Sequence, residues 1–177
     1  MKKKLVIIIS VILVMAYLAR VIYINANNRF EHTQVSTYEM GEVCQMEDFT
    51  YTVKAFDIYT VYEMQEKFGI ELDEEKDKET LFMVATVDVE YNGEEKDMCH
   101  FVKGYFAMEA GAWRNGIVFR TLNSMTPFTK GEKRTMYVYA TNAEIKIGSS
   151  NWEDKAKDME YTITSICYPK EVRLKCY

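Results

Sequence analysis

The chain is poor in residues that interrupt regular structure, with 2 prolines and 8 glycines among 177 residues. Aromatic residues make up 14% of it, and 13 of them are tyrosines. Disordered segments carry few aromatics and many breakers, whereas tyrosine and phenylalanine are enriched in strands. The composition therefore predicts a packed, strand-rich domain rather than a disordered stalk.

Motifs that carry catalysis are also missing. The sequence has no G-x-S-x-G, no P-loop, no H-E-x-x-H and no glycine-rich dinucleotide turn. Its only histidines are His32 and His100, and Cys99 directly precedes His100. Neighbouring residues of a strand point to opposite faces, so this pair is not expected to form a cysteine–histidine nucleophile. We predict no catalytic residues and no cofactor; a small surface hydrolase is the enzymatic alternative.

Calcium-loop spacing is absent from the most charged stretch, Glu71 to Glu79. Asp73, Glu75 and Asp77 alternate as in an EF-hand, but Lys78 follows them where the loop requires glycine for its sharp turn. Blocks of charge of this kind are typically exposed. We predict a solvated loop and no metal-binding residues.

Acidic residues are absent from residues 1–26, which contain instead a long apolar run. Lys2, Lys3 and Lys4 precede it, and only Arg20 interrupts it between Leu5 and Ile24. About 20 helical residues span the ~30 Å hydrocarbon core, and flanking lysines stay in the cytoplasm. The pattern predicts a single-pass membrane anchor, residues 1–26, with a helix at about 5–24 and the rest of the chain extracytoplasmic.

Cleavage of this segment is the alternative, and it requires small residues at −3 and −1. A cut after Ala19 places the bulky Tyr17 at −3, and a cut after Ala26 places Ile24 there. The polar residues 27–33 are predicted to form a linker, and residues 34–177 one domain.

Charge is unevenly divided between these parts. The net charge is −5, but residues 1–26 hold 4 of the 22 basic residues, which leaves 18 − 27 = −9 for the remainder. An acidic domain disfavours nucleic acid and anionic lipid surfaces as partners.

Four cysteines, Cys44, Cys99, Cys167 and Cys176, lie outside the anchor, and none has C-x-x-C spacing. An even number in an exported chain favours disulfides, with three connectivities open, and buried free thiols are the alternative. In a tight hairpin of the last two strands, Cys176 lies near Ile163 and ~13 Å from Cys167 along the ladder, too far for a bridge. Any disulfide should therefore join Cys167 or Cys176 to Cys44 or Cys99.

Two segments show clear period-2 alternation, Phe49 to Tyr59 and Thr80 to Tyr91, and are predicted strands. Between them, Thr60 and Glu63 form a capping-box pattern and Gly69 a C-cap, which predicts a helix from Val61 to Phe68. Further strands are predicted at Gln34–Met40, Lys103–Glu109, Trp113–Arg120, Arg134–Thr141, Met159–Tyr168 and Val172–Tyr177. Turns are predicted at Gly41, Asn92–Gly93, Ala110–Gly111, Asn115–Gly116 and 127–132. The segment from Asn142 to Asp158 is predicted to be a polar connection.

These elements resemble those of membrane-anchored, immunoglobulin-like domains of unknown function on Gram-positive bacterial surfaces. The resemblance rests on the lysine-flanked anchor, Gly41-Glu42-Val43 before Phe49-Thr50-Tyr51-Thr52-Val53, the strand Leu81–Tyr91 with Asn92-Gly93, and Lys130-Gly131-Glu132 before Arg134–Ala140; Tyr161-Thr162-Ile163-Thr164-Ser165 with Tyr168-Pro169 also agrees. Strand spacing and turns predict an all-β, antiparallel sandwich with one short inserted helix, and a closed barrel is the main alternative. The resemblance implies the immunoglobulin-like form of the sandwich.

The function expected is non-enzymatic binding of a protein, peptide or cell-wall ligand at the membrane surface. Trp113 and Trp152 are candidates for an aromatic ligand platform, and core packing is their alternative role. An accessory subunit of a membrane complex, using the anchor helix as well, is the competing function.

Overall fold

The computed structural model of the protein describes residues 2–27, 33–73, 79–143, 151–165 and 170–177, with side chains of the first helix from Ile9 to Ala26. These residues belong to two compact units, Met1–Thr33 and Gln34–Tyr177. Outside the described residues lie His32, Glu75, Asp77 and Cys167.

The first unit is one helix, α1 (Lys2–Asn27). Its stretch Ile9–Ala26 is long and apolar enough to cross a membrane, and none of it is buried. An apolar helix of this length without a buried face is unlike the amphipathic helices of soluble cores.

The described part of the second unit forms nine strands in two sheets. The strands are β1 (Gln34–Tyr38), β2 (Cys44–Met46), β3 (Phe49–Tyr59), β4 (Thr80–Tyr91), β5 (Phe106–Ala110), β6 (Trp113–Gly116), β7 (Lys133–Ala143), β8 (Thr162–Ser165) and β9 (Lys170–Lys175). The larger sheet has the order β1-β9-β8-β5-β6 and the smaller sheet β2-β3-β4-β7. The predicted β-sandwich is confirmed.

One core lies between the sheets. Alternate residues of β3 and β4 face it, and these include Tyr51, Val53, Val87 and Val89, each at most 2% exposed. Inward residues of β5, β7, β8 and β9 complete it: Met108, Met136, Val138, Ile163 and Leu174. Burial of this apolar surface is the main force holding the sheets together.

The burial of strand β4 differs between its first and second halves. From Leu81 to Ala85 every residue is buried, whereas from Thr86 to Tyr91 burial alternates and Asp88 is exposed. The reason is a short helix, α2 (Val61–Phe68), which covers only the first part of its outer face. Phe82 and Val84 pack beneath this helix, in a second apolar cluster with Val61, Met64 and Tyr139.

Helix α2 has the boundaries that the sequence predicts. The Thr60 backbone N–H donates to Glu63 Oε2 at 2.7 Å, and the Glu63 N–H donates to Thr60 Oγ1 at 3.4 Å. Gly69 ends the helix in the left-handed conformation, at φ 63°. Both predicted caps are confirmed. Each satisfies backbone groups that a helix end leaves without intrahelical partners.

The larger sheet is not wholly antiparallel. β1 pairs parallel with β9, from Gln34 opposite Lys170 to Tyr38 opposite Leu174. No tight hairpin joins these two strands, because the chain crosses to the other sheet between them, and a parallel pair requires such a long connection. The prediction of a purely antiparallel sandwich is wrong at this edge.

A second short helix, α3 (Trp152–Lys157), occupies part of the stretch predicted to be a polar connection. Trp152 and Ala156 are buried. Their spacing of four places both on one helix face, against the core. The prediction of a single inserted helix is therefore wrong.

The predicted tight turn at Asn92–Gly93 is also absent. Neither residue has a positive φ, and a longer loop leads from β4 to β5. Gly93 serves a different purpose, because a Cβ there would lie 2.8 Å from Asp48 Oδ2 and closer still to the Tyr91 ring. The glycine permits close approach of the chain rather than a hairpin.

Asn115–Gly116 lies inside β6, where Gly116 pairs with Ala107 of β5. The turn of this hairpin is at Gly111, as predicted, with φ 56°. The flanking strands are shorter than predicted, starting at Phe106 and ending at Gly116.

Candidate functional site

The outer face of the smaller sheet is divided into a covered and an open half. Helix α2 covers one half, and the other is polar. Strand register aligns Thr50 with Glu90 and Lys133 in one row. A second row contains Thr52, Asp88 and Thr135.

These two rows border a surface depression of about 330 Å³. We call its lining the threonine face: Val43, Thr50, Thr52, Asp88, Val89, Glu90, Lys133, Arg134 and Thr135. Threonines are favoured here because β-branched residues suit strands, and their hydroxyls both donate and accept hydrogen bonds.

Neighbouring strands hold the carboxylates of the threonine face in place. The Thr135 hydroxyl donates to Asp88 Oδ1 at 2.7 Å, and Lys133 Nζ lies 2.9 Å from Glu90 Oε2. A carboxylate has about four acceptor positions, so one such contact leaves each oxygen pair able to accept from a ligand.

Arg134 closes one side of the depression. Its guanidinium donates to the Thr126 and Pro127 carbonyls at 2.7 and 3.0 Å, contacts Glu132 at 2.6 Å, and lies 4.0 Å from the centre of the Phe128 ring. These contacts fix the loop beside the threonine face, so Arg134 acts mainly as a support for the depression.

A second polar group, the chain Glu47–His100–Tyr51, lies at the turn between β2 and β3. The Tyr51 hydroxyl accepts from the His100 backbone N–H at 3.0 Å and lies 2.7 Å from Nδ1. His100 Nε2 lies 3.0 Å from Glu47 Oε2. A consistent assignment has the Tyr51 hydroxyl donating to Nδ1 and the Nε2–H donating to the carboxylate.

Burial of Tyr51 and His100 disfavours catalysis by the Glu47–His100–Tyr51 group. Tyr51 and His100 are 0% and 2% exposed. Burial raises the pKa of Tyr51 well above its ordinary value, which disfavours the phenolate. Glu47 has a φ of 52°, an unusual value for a residue with a side chain. The hydrogen bonds of the Glu47–His100–Tyr51 group therefore hold the turn at Glu47 and the turn at His100 against β3.

The structure corrects the geometry expected for Cys99 and His100. They lie at a turn before β5, not in a strand, and both are buried. Cys99 Sγ contacts Met136 Sδ at 3.7 Å, whereas the His100 ring contacts Tyr51 and Glu47. The two side chains have different partners because of the turn, not because of strand alternation.

Among the described cysteines, Cys44, Cys99 and Cys176 are buried free thiols. Burial raises the pKa of Cys44 to about 11 and that of Cys176 to about 12. The structure thus contains none of the bridges that the cysteine count predicted among these three, and the free-thiol alternative describes them. Cys167 lies outside the described residues.

The hairpin predicted for the last two strands is present, with a corrected register. Ile163 lies opposite Leu174, so Cys176 is two residues further along, and its N–H donates to the Tyr161 carbonyl at 3.0 Å.

The two tryptophans do not form a common platform. Trp152 is 7% exposed and belongs to the core. Trp113 is half-buried and packs edge-on against Tyr161, with ring centres 5.8 Å apart. Core packing, the alternative role, describes both residues.

No group of three or more potential metal-ligating side chains comes together among the described residues. Asp73 is the one described member of the three acidic residues that alternate in the charged stretch.

The threonine face is not evident as a site in the sequence. Period-2 alternation places Thr50 and Thr52 on the same face of β3, and Asp88 and Glu90 on the same face of β4. Only the cross-strand register shows that these residues are neighbours, and the register of distant strands is not encoded locally.

Comparison with family models and with curated proteins finds no match. Among solved structures, the chain is similar to an uncharacterised β-sandwich protein from Clostridium difficile 630, with a TM-score of 0.55 and 8% identity over 85% of this chain and 100% of the other. A functionally unknown protein from Listeria monocytogenes EGD-e matches with a TM-score of 0.47 and 10% identity, over 70% and 71% of the two chains. The first similarity shows the β-sandwich fold alone.

Proposed function

We propose that this chain is a membrane-anchored, extracytoplasmic module that binds a cell-wall or peptide ligand on its threonine face. The anchor is α1, whose segment Ile9–Ala26 has the length and composition of a membrane span. Lysines at positions 2–4 precede it, and the positive-inside rule then places the β-sandwich outside the cytoplasm.

An immunoglobulin-like arrangement of the sandwich is part of this proposal. The chain passes between the sheets four times: after β1, after β4, before β7 and after β7. Two facing sheets linked by such crossings are shared with immunoglobulin-like domains.

The threonine face is the observation that carries the binding function. It combines hydroxyls and carboxylates on the strands of a sheet, and side chains on regular elements are held more precisely than those on loops. Cross-strand contacts to Asp88 and Glu90 further restrict the positions of the acceptors.

The chemistry of the threonine face favours a ligand rich in hydroxyl and amino groups. Thr50 and Thr52 offer hydroxyls that donate and accept, whereas the Thr135 hydroxyl, which donates to Asp88, offers acceptor positions. Asp88 and Glu90 offer acceptors only. Amino-sugar polymers and their attached peptides present such groups. We therefore assign the ligand to the class of cell-wall glycan or its peptides.

The module acts by binding and not by catalysis in this proposal. The histidine and the tyrosine of the Glu47–His100–Tyr51 chain are covered by protein. A general base must reach the proton that it removes, and these side chains cannot approach a ligand in the described conformation.

Removal of two hydroxyls from the threonine face tests the proposal. The full-length chain in detergent is sedimented with purified cell-wall fragments, and the variant Thr50→Val/Thr52→Val is compared with Thr121→Val, an exposed threonine outside the threonine face. Loss of two hydrogen bonds should weaken binding by roughly tenfold or more in the double variant only.

Two results would overturn this function. One is wild-type protein that neither sediments with wall fragments nor crosslinks to wall peptides. The other is a double variant that binds as tightly as Thr121→Val.

A further inference from the structure

The two sheets have four edge strands, β1, β2, β6 and β7, which differ in how well they are protected from pairing with a further strand. An unprotected edge exposes a row of backbone N–H and C=O groups that another strand can pair with. The free side of β7 is occupied: Val118 and Tyr139 exchange backbone hydrogen bonds of 2.7 and 2.9 Å. The Asn123 side-chain amide pairs with the Tyr137 backbone in the same way. Its Nδ2 donates to the Tyr137 carbonyl at 2.7 Å, and its Oδ1 accepts from the Tyr137 N–H at 2.8 Å.

Two other edges are short. β2 has three residues and β6 four, and β6 carries Arg114. Short strands and charged side chains are the usual protections of a sheet edge. Strands β2, β6 and β7 are therefore poor templates for a further strand.

Strand β1 lacks these protections. Its sequence, Gln-Val-Ser-Thr-Tyr, has no charge and no proline, and its first four residues are exposed. Val35 is 48% exposed, among the more exposed large apolar side chains of the sandwich. Within the described residues, the strand pairing of β1 is with β9 alone, on one side.

We propose that two copies of this chain associate through β1, pairing antiparallel with Ser36 opposite Ser36 of the second copy. This register places Val35 opposite Thr37 twice, and β-branched cross-strand pairs stabilise sheets. Gln34 then faces Tyr38 at both ends. The contact is isologous, the type on which twofold dimers are built.

The β1 strand is uncharged, which disfavours a charged partner and permits a second copy at this edge. The domain has a net charge of 18 − 27 = −9, which opposes self-association in general. The β1 edge escapes this repulsion, because Arg173 pairs with Glu171 at 2.5 Å and Lys175 with Glu39 at 2.8 Å. No like charges meet across the uncharged strands.

Association through β1 joins the two larger sheets into one sheet of ten strands, five from each copy. The threonine face lies on the other sheet, so this inference is independent of the proposed ligand. Two linked modules would bind a repetitive polymer with higher avidity than one.

Disulfide trapping tests the register. Residues directly opposite in an antiparallel pair have Cα atoms about 4.5–5.5 Å apart, within the range of a disulfide. Full-length Ser36→Cys, in a Cys167→Ser background and reconstituted in lipid vesicles, should form a covalent dimer on mild oxidation. Glu66→Cys, exposed on α2, is the control and should remain monomeric.

A charge at the same position supplies a second measurement. Ser36→Lys places two lysines opposite each other and should abolish the dimer, measured by chemical crosslinking of the otherwise unchanged chain. Tyr62→Lys, on the exposed face of α2, should leave it unchanged.

The proposal is overturned if Ser36→Cys forms no more dimer than Glu66→Cys, or if Ser36→Lys dimerises like Tyr62→Lys. Trapping of Ser36→Cys on a different protein in intact cells, without a homodimer, would also overturn it and would identify another occupant of the edge.

Discussion

At the scale of single residues, the hydroxyl of Tyr51 in β3 binds His100, which in turn binds Glu47. These contacts connect β3 with the turn at His100 and the turn at Glu47. Tyr51→Phe leaves the buried His100 backbone N–H and Nδ1 without this partner. We expect a loss of about 1–3 kcal/mol in unfolding free energy, the usual cost of an unsatisfied buried group. Urea denaturation measures it.

Tyr59→Phe is the matched control for this change. Its hydroxyl contacts Asp57 and Lys67 at the surface, so its loss should have little effect on the unfolding free energy. Equal losses in the two variants would show that the Tyr51 hydrogen bonds contribute no specific stability.

Neighbouring positions of β4 differ sharply in burial. Val87 is 0% exposed in the core, and Asp88 is exposed on the threonine face. Val87→Asp buries an unpaired charge and should cost several kcal/mol, enough to unfold a domain stable by ~5–15 kcal/mol. Asp88→Ala should cost well under ~1 kcal/mol. Thermal unfolding of both variants checks the difference, and similar losses would contradict the one-sided burial of this part of β4.

The buried cysteines should be unreactive in the folded protein. Burial raises the pKa of each of Cys44, Cys99 and Cys176, and the thiolate is the reactive form. Iodoacetamide at pH 8 should modify these three residues only after denaturation, as measured by peptide mass mapping. Modification of any of them in the native protein, or a disulfide-linked peptide containing one, would contradict the structure.

At the scale of elements, the cap of α2 makes stability depend on pH. Hydrogen bonds from the Thr60 backbone N–H, and secondly from its hydroxyl, lower the pKa of Glu63. A lowered carboxyl pKa adds stability above the unfolded pKa, and this is lost as the pH falls through the folded value.

Glu63→Gln should therefore be less stable than the wild type at pH 7 and equally stable at a pH below the lowered pKa, where Glu63 is protonated. Glu66→Gln, on the same helix without a cap contact in the described structure, is the control. A Glu63→Gln deficit that persists unchanged in acid would exclude the ionised cap as its source.

Elements with strong local signals were predictable from sequence. β3, α2 and β4 have the predicted boundaries, because alternation and capping residues act within a few positions. α3 was missed because its stability comes from packing of Trp152 and Ala156 into the core. Asn92–Gly93 was misassigned because contacts with Asp48 and Tyr91, not turn propensity, determine its conformation.

At the scale of the whole molecule, the membrane orientation is the prediction with the broadest consequences. Protease added to intact, wall-stripped cells should digest the β-sandwich and leave an N-terminal fragment containing the three lysines protected. Immunoblotting with an N-terminal tag follows this fragment. Survival of the sandwich in intact cells would reverse the topology, and a mature protein starting at Asn27 would show cleavage after Ala26.

The sandwich architecture could be predicted, but not its candidate site. Period-2 patterns identify which residues face outward, whereas the threonine face depends on β3, β4 and β7 lying side by side. The tryptophans illustrate the same point, because aromatic residues suit a ligand platform and a core equally well in sequence terms. Their burial depends on the packing of the sheets.

The parallel pairing of β1 with β9 determines how the sandwich would carry mechanical load. A pull on α1, the proposed membrane anchor, would act on the N-terminal end of β1, and a load on the residues after Lys175 would act on the C-terminal end of β9. In parallel strands these two forces run in opposite directions along the ladder. They shear its five residue pairs together instead of unzipping them one after another, so the strand next to the tether is held in the geometry that resists extension best.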